Sequence, residues 1–414
     1  MKVSKIVAFS GVVVAAVVLG TFAVLNMYED DVSSNAFEKN DISEIHKSEN
    51  KDFAFAFYSE IAGKDKKSNI FFSPLSISTA FSIAYEGAKG ETASQIQQVF
   101  SFEENDSKRH KKISDVLSRL NHEDDWYNLQ VANALWINDE YEIKQDYIDD
   151  VKTHYSSTVD NVDFATNDGI NRINDWVKNK TNEKIHEILE PGSTDDLTLM
   201  VITNSVYFNG KWALEFNQNN TSEKPFWTDK NNSVPVPMMI ESADIYNYAE
   251  TDHLQALELN YLGGDMSMIV LLPKEIEGLE SIEQSMSIEK LDVIKYSMTR
   301  QPLTVQFPKF EFETQYNLIK PLQSRGLEYA FDKDNADFRG ITDEQIYLDK
   351  AVHKAFVNVN EEGTEAAAIT ALVGRFTSGP PEPIAEFIAD RPFMFIIQEK
   401  ETGEILFVGR LVNP

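Results

Sequence analysis

The stretch Asn360-Glu361-Glu362-Gly363-Thr364-Glu365-Ala366-Ala367-Ala368-Ile369-Thr370-Ala371 decides how the rest of this chain is read. It follows a run of strand character at 355–360 and precedes a Gly- and Pro-rich loop at 374–383. Two periods fit it. At 3.6 residues per turn it is an alanine-rich helix that Thr364 could cap. At period two, Thr364, Ala366, Ala368 and Thr370 share one face, and Glu365, Ala367, Ile369 and Ala371 share the other. A segment with such small side chains could slide between two existing strands, with Gly363 as the flexible joint before it.

Outward from this stretch, the first half of the chain carries helical patterning. Phe53, Phe55, Phe57 and Tyr58 lead into Ile61, and 76–85 is an apolar helix candidate that starts after Pro74. A further candidate covers 92–100, and Ile170, Ile173, Trp176 and Val177 are spaced for a helix over 170–181. The second half reads as strands at 199–207, 255–261, 266–272, 303–310, 355–360, 393–398 and 405–411. The last two are joined by Glu399-Lys400-Glu401-Thr402-Gly403, which suits a hairpin. Helices early and antiparallel strands late predict an α+β layout, not βαβ alternation. After Asn50 there is no linker long enough to split the chain and no repeat, so one domain is expected.

Composition narrows the chemistry. The 414 residues carry 38 basic and 67 acidic side chains, a formal charge of −29. Such a surface repels nucleic acid and anionic lipid, so neither is expected as a partner of the folded body. Cysteine is absent, which removes disulfides, thiolate nucleophiles and thiolate metal sites together. The seven histidines (His46, His110, His122, His154, His186, His253 and His353) show no metal-ligand spacing, so no metal or cofactor is expected. No G-x-S-x-G occurs, which argues against a hydrolase. The basic run Lys108-Arg109-His110-Lys111-Lys112 is bracketed by Glu103, Glu104, Asp106 and Asp115 and reads as a solvated charged face.

At the N-terminus, Lys2 and Lys5 precede an uncharged apolar run at 6–25. As a helix it would span about 30 Å, roughly one bilayer core. That length suits a retained anchor, while Thr21-Phe22-Ala23 suits signal-peptidase cleavage. Residues 1–27 are therefore expected to be a signal peptide or a membrane anchor. Either would send the rest of the chain to an extracellular location, secreted or tethered to the outer face of the membrane. Residues 28–49 are polar and acidic and read as a flexible spacer.

The sequence resembles the serpins, a family of serine-protease inhibitors. The hinge of inhibitory serpins is Glu-Glu-Gly-Thr-Glu followed by an alanine-rich run. Glu361, Glu362, Gly363, Thr364, Glu365, Ala366, Ala367 and Ala368 keep that pattern, and Ile369, ahead of Thr370, departs from it where Ala is usual. The resemblance runs from about residue 48 to Pro414. It includes Asn69-Ile70-Phe71-Phe72-Ser73-Pro74-Leu75-Ser76-Ile77-Ser78, Gly87-Ala88-Lys89-Gly90-Glu91-Thr92 and Asn204-Ser205-Val206-Tyr207-Phe208-Asn209-Gly210-Lys211-Trp212. Val236-Pro237-Met238-Met239, Leu271-Leu272-Pro273, Ala336-Asp337-Phe338-Arg339-Gly340-Ile341, Val352-His353-Lys354-Ala355 and Pro392-Phe393-Met394-Phe395 follow in order. Each string is weak alone; their order and spacing are specific.

The resemblance implies a serpin domain over 48–414, with three β-sheets, about nine helices and an exposed reactive-centre loop at about 361–387. It implies a monomer that is not an enzyme and needs no cofactor. Ser73, Ser76, Asn204 and His353 match the family's shutter, a buried polar cluster where the main sheet opens. Read alone, His353 would be an ordinary core histidine. Trp212, Lys309 and Glu361 match the breach, where the loop first enters the sheet, with Lys309 and Glu361 expected as an ion pair. The family's usual loop length places the scissile bond at Thr377–Ser378, which favours an elastase- or subtilisin-like serine protease. Cleavage after Arg375 would instead select trypsin-like proteases, and after Phe376 chymotrypsin-like ones. The implied activity is suicide inhibition: the cleaved loop inserts into the main sheet while the protease is still joined to it as an acyl-enzyme. A non-inhibitory carrier or folding factor, or an inhibitor directed at cysteine proteases, are the alternatives.

Overall fold

The computed structural model describes residues 49–120, 126–364 and 384–414. The expected signal or anchor, most of the spacer, hinge residues Glu365 to Thr370 and the bait residues Arg375 to Ser378 lie outside the described residues. Glu49, placed last in the spacer by the sequence, opens the first described helix, Glu49–Lys64.

Nine α-helices are present among the described residues, and the strands form two hydrogen-bonded sheets. The first runs in the order Phe310–Asn317, Leu348–Val359, Met200–Lys211, Tyr127–Asn138, Thr158–Val162. Its central strand is buried along almost its whole length, as expected of a strand covered on both faces. Two of its pairings are parallel: Leu348–Val359 with Met200–Lys211, and Tyr127–Asn138 with Thr158–Val162.

The expected second and third sheets are continuous, because the 19-residue strand Asn232–Glu250 belongs to both. It pairs with Ser222–Asp229 at one end and Leu254–Asn260 at the other, with a register shift between Glu241 and Asp244 that bends it. The strands predicted at 199–207, 255–261, 266–272, 393–398 and 405–411 fall close to those positions, whereas that at 355–360 begins earlier, at Leu348, and that at 303–310 runs across the break between Thr299–Pro308 and Phe310–Asn317, which belong to different sheets. The first half is less purely helical than its patterning suggested, since Tyr127–Asn138 and Thr158–Val162 lie there.

The helix Pro74–Gly87 lies between the two sheets and is buried over most of its length. Ser73 starts it: its hydroxyl accepts from Ser76 N–H at 3.1 Å, and Pro74 occupies the first turn where no N–H is needed. The opposite face of the first sheet is covered by the helix Asn167–Lys180 and the chain after it, through Ile170, Ile173, Val177 and Ile188 against Trp136 and Val201.

The basic run reads differently in three dimensions. It lies on the helix Asp106–Leu120, and Arg109 turns inward, 4% exposed, donating to Glu86 Oε1 from Nε and Nη2 at 3.0 and 2.7 Å. Charge alone does not show that one of five basic residues is an internal tie.

A second buried cation ties the C-terminal strand to the helices. Arg410, 1% exposed, donates to Glu283 Oε1 at 2.9 Å and to the carbonyls of Ser68 and Asp65, while Tyr58 Oη donates to the same Glu283 oxygen. Replacing Arg410 by Met should cost about 3–5 kcal/mol, because Glu283 would keep a buried charge without its cation. The urea midpoint reads this, and Arg410→Met with Glu283→Gln should lose less than Arg410→Met alone.

Candidate functional site

At one end of the first sheet, Leu348–Val359 and Met200–Lys211 diverge, and residues 361–364 fill the wedge between them. The pairing of the two strands runs from Leu348↔Met200 to Phe356↔Tyr207. Beyond it the chain turns back through the bridge Asn360↔Gly363, and Gly363–Thr364 pairs antiparallel with the same strand, Gly363 opposite Lys211 and Thr364 opposite Gly210. Thr364 is fully buried, and its hydroxyl shares a 2.9 Å hydrogen bond with Tyr261 Oη. It is thus strand, not a helix cap. Gly363 has φ +153°, and a Cβ there would lie 2.1 Å from the Gly210 carbonyl oxygen, so only glycine fits.

Trp212 is the platform of this wedge. It is 2% exposed and stacks on Tyr261 with ring centroids 4.6 Å apart. Its Nε1–H donates to Asn360 O at 3.0 Å and its backbone N–H to Glu362 O at 2.9 Å. Glu361 lies beside it with Oε2 2.7 Å from Lys309 Nζ, and its other oxygen accepts from Thr221 Oγ1 at 2.7 Å. Burial raises the Glu361 carboxyl, but the bonds from Lys309 and Thr221 outweigh it and leave the group below the usual carboxylate range. Glu362 accepts from Gln218 Nε2 at 3.1 Å. Trp212, Lys309, Glu361, Glu362, Gly363 and Thr364 are therefore in one place.

Further down the same sheet, His353, Asn204 and Asn133 stand in one row across three strands, His353 opposite Asn204 and Asn204 opposite Asn133. All are buried. His353 Nε2 accepts from Ser73 N–H at 3.2 Å, so the proton sits on Nδ1, which donates to Asn204 Oδ1. Asn204 Nδ2 donates to Ser76 Oγ, Ser76 O and Asn133 Oδ1, and Asn133 Nδ2 donates to Thr79 Oγ1 at 2.9 Å. Ser73, Ser76, Asn204 and His353 are joined directly. Asn133 and Thr79 complete the cluster and were missed in the sequence. A lone Asn inside the apolar run Val131-Ala132-Asn133-Ala134-Leu135-Trp136 was the available signal. Burial alone pushes the His353 imidazole down to about 3.

Two outcomes follow from this geometry. An unfolded histidine binds its proton near its ordinary value of 6.5, whereas folded His353 does so only near 3. Its contribution to stability is therefore full above pH 6.5 and is lost between 6.5 and 3, at about 1.4 kcal/mol per pH unit. Urea midpoints at pH 7, 6, 5 and 4 should fall more steeply for the wild type than for His353→Gln; parallel profiles would refute the assignment. Gly363→Ala should expel residues 363–364 from the wedge, read as a red shift in tryptophan emission from Trp212, whereas a change at exposed Gly192 should leave emission unaltered.

Comparison with known proteins agrees with this geometry. A family model described as Serpin (serine protease inhibitor) matches residues 48–414. A serpin-like protein of Methanosarcina acetivorans is 38% identical over 370 residues, covering 88% of this chain and 87% of its own length. Serpin B3 of Homo sapiens is 37% identical over 387 residues, covering 88% and 98%. The crystal structure of uncleaved ovalbumin superposes with a TM-score of 0.81 at 31% identity, covering 89% of this chain and 99% of its own. Members of this family act as protease inhibitors or in non-inhibitory roles, not as catalysts. The chain belongs to the serpin family.

Proposed function

We propose that this chain is an inhibitory serpin that traps a serine protease as an acyl complex by inserting its cleaved loop into the first sheet. One observation carries the reading: Gly363–Thr364 already forms the first rung of an added strand, antiparallel to Met200–Lys211. Extending that register sets Ala366 opposite Phe208, Ala368 opposite Val206 and Thr370 opposite Asn204. Phe208 and Val206 belong to the buried core, so only small partners fit on that face. Glu365, Ala367 and Ile369 would take the other face.

The protease's serine attacks the Thr377 carbonyl, the Thr377–Ser378 amide breaks, and the new amine at Ser378 leaves with a proton from the protease's histidine. The freed segment then enters between Leu348–Val359 and Met200–Lys211. These strands are parallel, so a strand antiparallel to one is antiparallel to both. One parallel ladder is exchanged for two antiparallel ones, which are slightly more stable per residue, and this contributes to the driving energy. The His353–Asn204 bond crosses the seam that must part, whereas Asn204–Asn133 and Asn204–Ser76 do not. The native state is held by kinetics until cleavage. Shutter and breach are thus the assigned roles of the two clusters.

Thr377 favours an elastase- or subtilisin-like target, with Arg375 and Phe376 as the trypsin-like and chymotrypsin-like registers. The apolar run at 6–25 supports export, secreted or tethered, and the expected species is a monomer. The non-inhibitory reading is favoured by nothing at the hinge, whose residues on the core-facing register, Thr364, Ala366, Ala368 and Thr370, are small.

Incubating the full chain with proteases of these four specificities, and with a papain-like cysteine protease, tests the reading. A 1:1 complex that survives denaturing electrophoresis is expected with a serine protease, and the mass of the released C-terminal peptide assigns the bond. Clean cleavage with protease activity retained would leave a substrate, not an inhibitor. Thr364→Arg, which puts a charge against Tyr261 inside the sheet, should raise the stoichiometry of inhibition at least tenfold.

A further inference from the structure

Three helices meet around the carboxylate of Glu86, which stands near the end of Pro74–Gly87 with its side chain 12% exposed. Its Oε1 accepts from Nε and Nη2 of Arg109, from Tyr155 Oη, and from His110 Nε2 at 2.9 Å. A carboxylate can only accept, so a proton sits on His110 Nε2, and the neutral ring suffices for this bond. The face of His110 lies flat against His154, with ring centroids 3.9 Å apart and planes 12° apart. His154 comes from the last turn of the helix Gln145–Tyr155. The stack therefore joins that helix to Asp106–Leu120 through two rings that are each partly buried.

Two imidazoles can lie in this way while at most one is charged, because two cations at this separation repel. The surrounding charges sharpen that limit. Helix Pro74–Gly87 presents Glu86, whose charge is already matched by Arg109. On Asp106–Leu120, Asp106 is bonded to Arg109 and is 76% exposed. Asp150, one turn before His154, is exposed, and so is Glu104, just before the basic helix. A first proton, on His110, shares Glu86. A second, on His154, meets His110 and Arg109 with only solvated carboxylates to offset it. We propose that the helix Asp106–Leu120 is an acid-released flap, which separates from Gln145–Tyr155 once both His110 and His154 are protonated. The open form holds one proton more than the closed form, so a fall in pH through the ordinary histidine range favours opening. The helix buries Ile113 and Leu117 and packs on the strand Tyr127–Asn138, which carries Asn133 of the polar row. Acid thus loosens the first sheet from outside the wedge, independently of any protease.

Hydrogen exchange of the full chain tests this, read as protection of residues 106–120 at pH 7.5 and 5.5 after correction for the intrinsic exchange rate. Between these two values, protection in the wild type should fall about tenfold more than in His154→Phe, which keeps a ring in the stack but cannot take a proton. His154→Gln serves as a second uncharged variant should Phe disturb the packing, and should match His154→Phe. His353 is present in all three proteins, so its own acid-dependent loss cancels in the comparison. Equal falls in the wild type and the variants, or no fall in the wild type, would overturn the flap. A fall that depends on His154 but is as large in the strand Met266–Pro273 as in 106–120 would mean global unfolding and would overturn it too.

Discussion

The structure depends on one parallel ladder, that between Leu348–Val359 and Met200–Lys211. Parallel strands need long connections, and here the connection spans most of the second half of the chain, with five of the second sheet's nine strands built in the interval. The ladder is also where the first sheet is least committed. Its slanted bonds are weaker per residue than antiparallel ones, and beyond Phe356 it stops and leaves a wedge. What fills the wedge is the returning chain, held by Trp212, Tyr261, Lys309 and Thr221. Hydrophobic burial makes the domain, and the proposed function turns on this one seam.

The polar row below the wedge shows why the seam stays shut. A buried polar group without a partner costs about 1–3 kcal/mol, so the row is tolerable only when each member is bonded. Asn204 is its branch point, receiving from His353 on one side and giving to Ser76 and Asn133 on the other. Parting the strands removes the acceptor of His353 and the donor to Asn204 together. In the proposed insertion, the coupled loss of both bonds would favour two discrete states of the sheet.

Much of this was legible in the sequence, for reasons that differ by residue. Gly363 was legible as the joint before the small-residue run, and Pro74 as the start of a helix; that only glycine fits beside Gly210, and that Ser73 caps the helix, came from the structure. His353 and Asn204 could be joined only through the family resemblance, since they are 149 residues apart and meet through sheet register. Asn133 and Thr79 lay beyond the motifs and were missed. The single strand Asn232–Glu250 was hidden by Pro235 and Pro237, which ordinarily end a strand and here sit where it pairs with another proline-bearing segment. Arg109 shows the limit of charge patterning: its surroundings in sequence are solvated, and its partner Glu86 comes from another helix.

The short pairing of Gly363–Thr364 with Lys211 and Gly210 has a kinetic meaning as well as a structural one. A strand that must add itself to a sheet faces two separate delays: finding a first contact, and finding the alignment that puts the correct face inward. A slip of one residue would send Glu365 and Ile369 into the core. Under the proposed insertion mechanism, the first rung stands before any bond is cut, so both searches would be complete in advance and only propagation along a fixed track would remain. In the contest with water for the ester that this mechanism proposes, the starting position would be settled in advance.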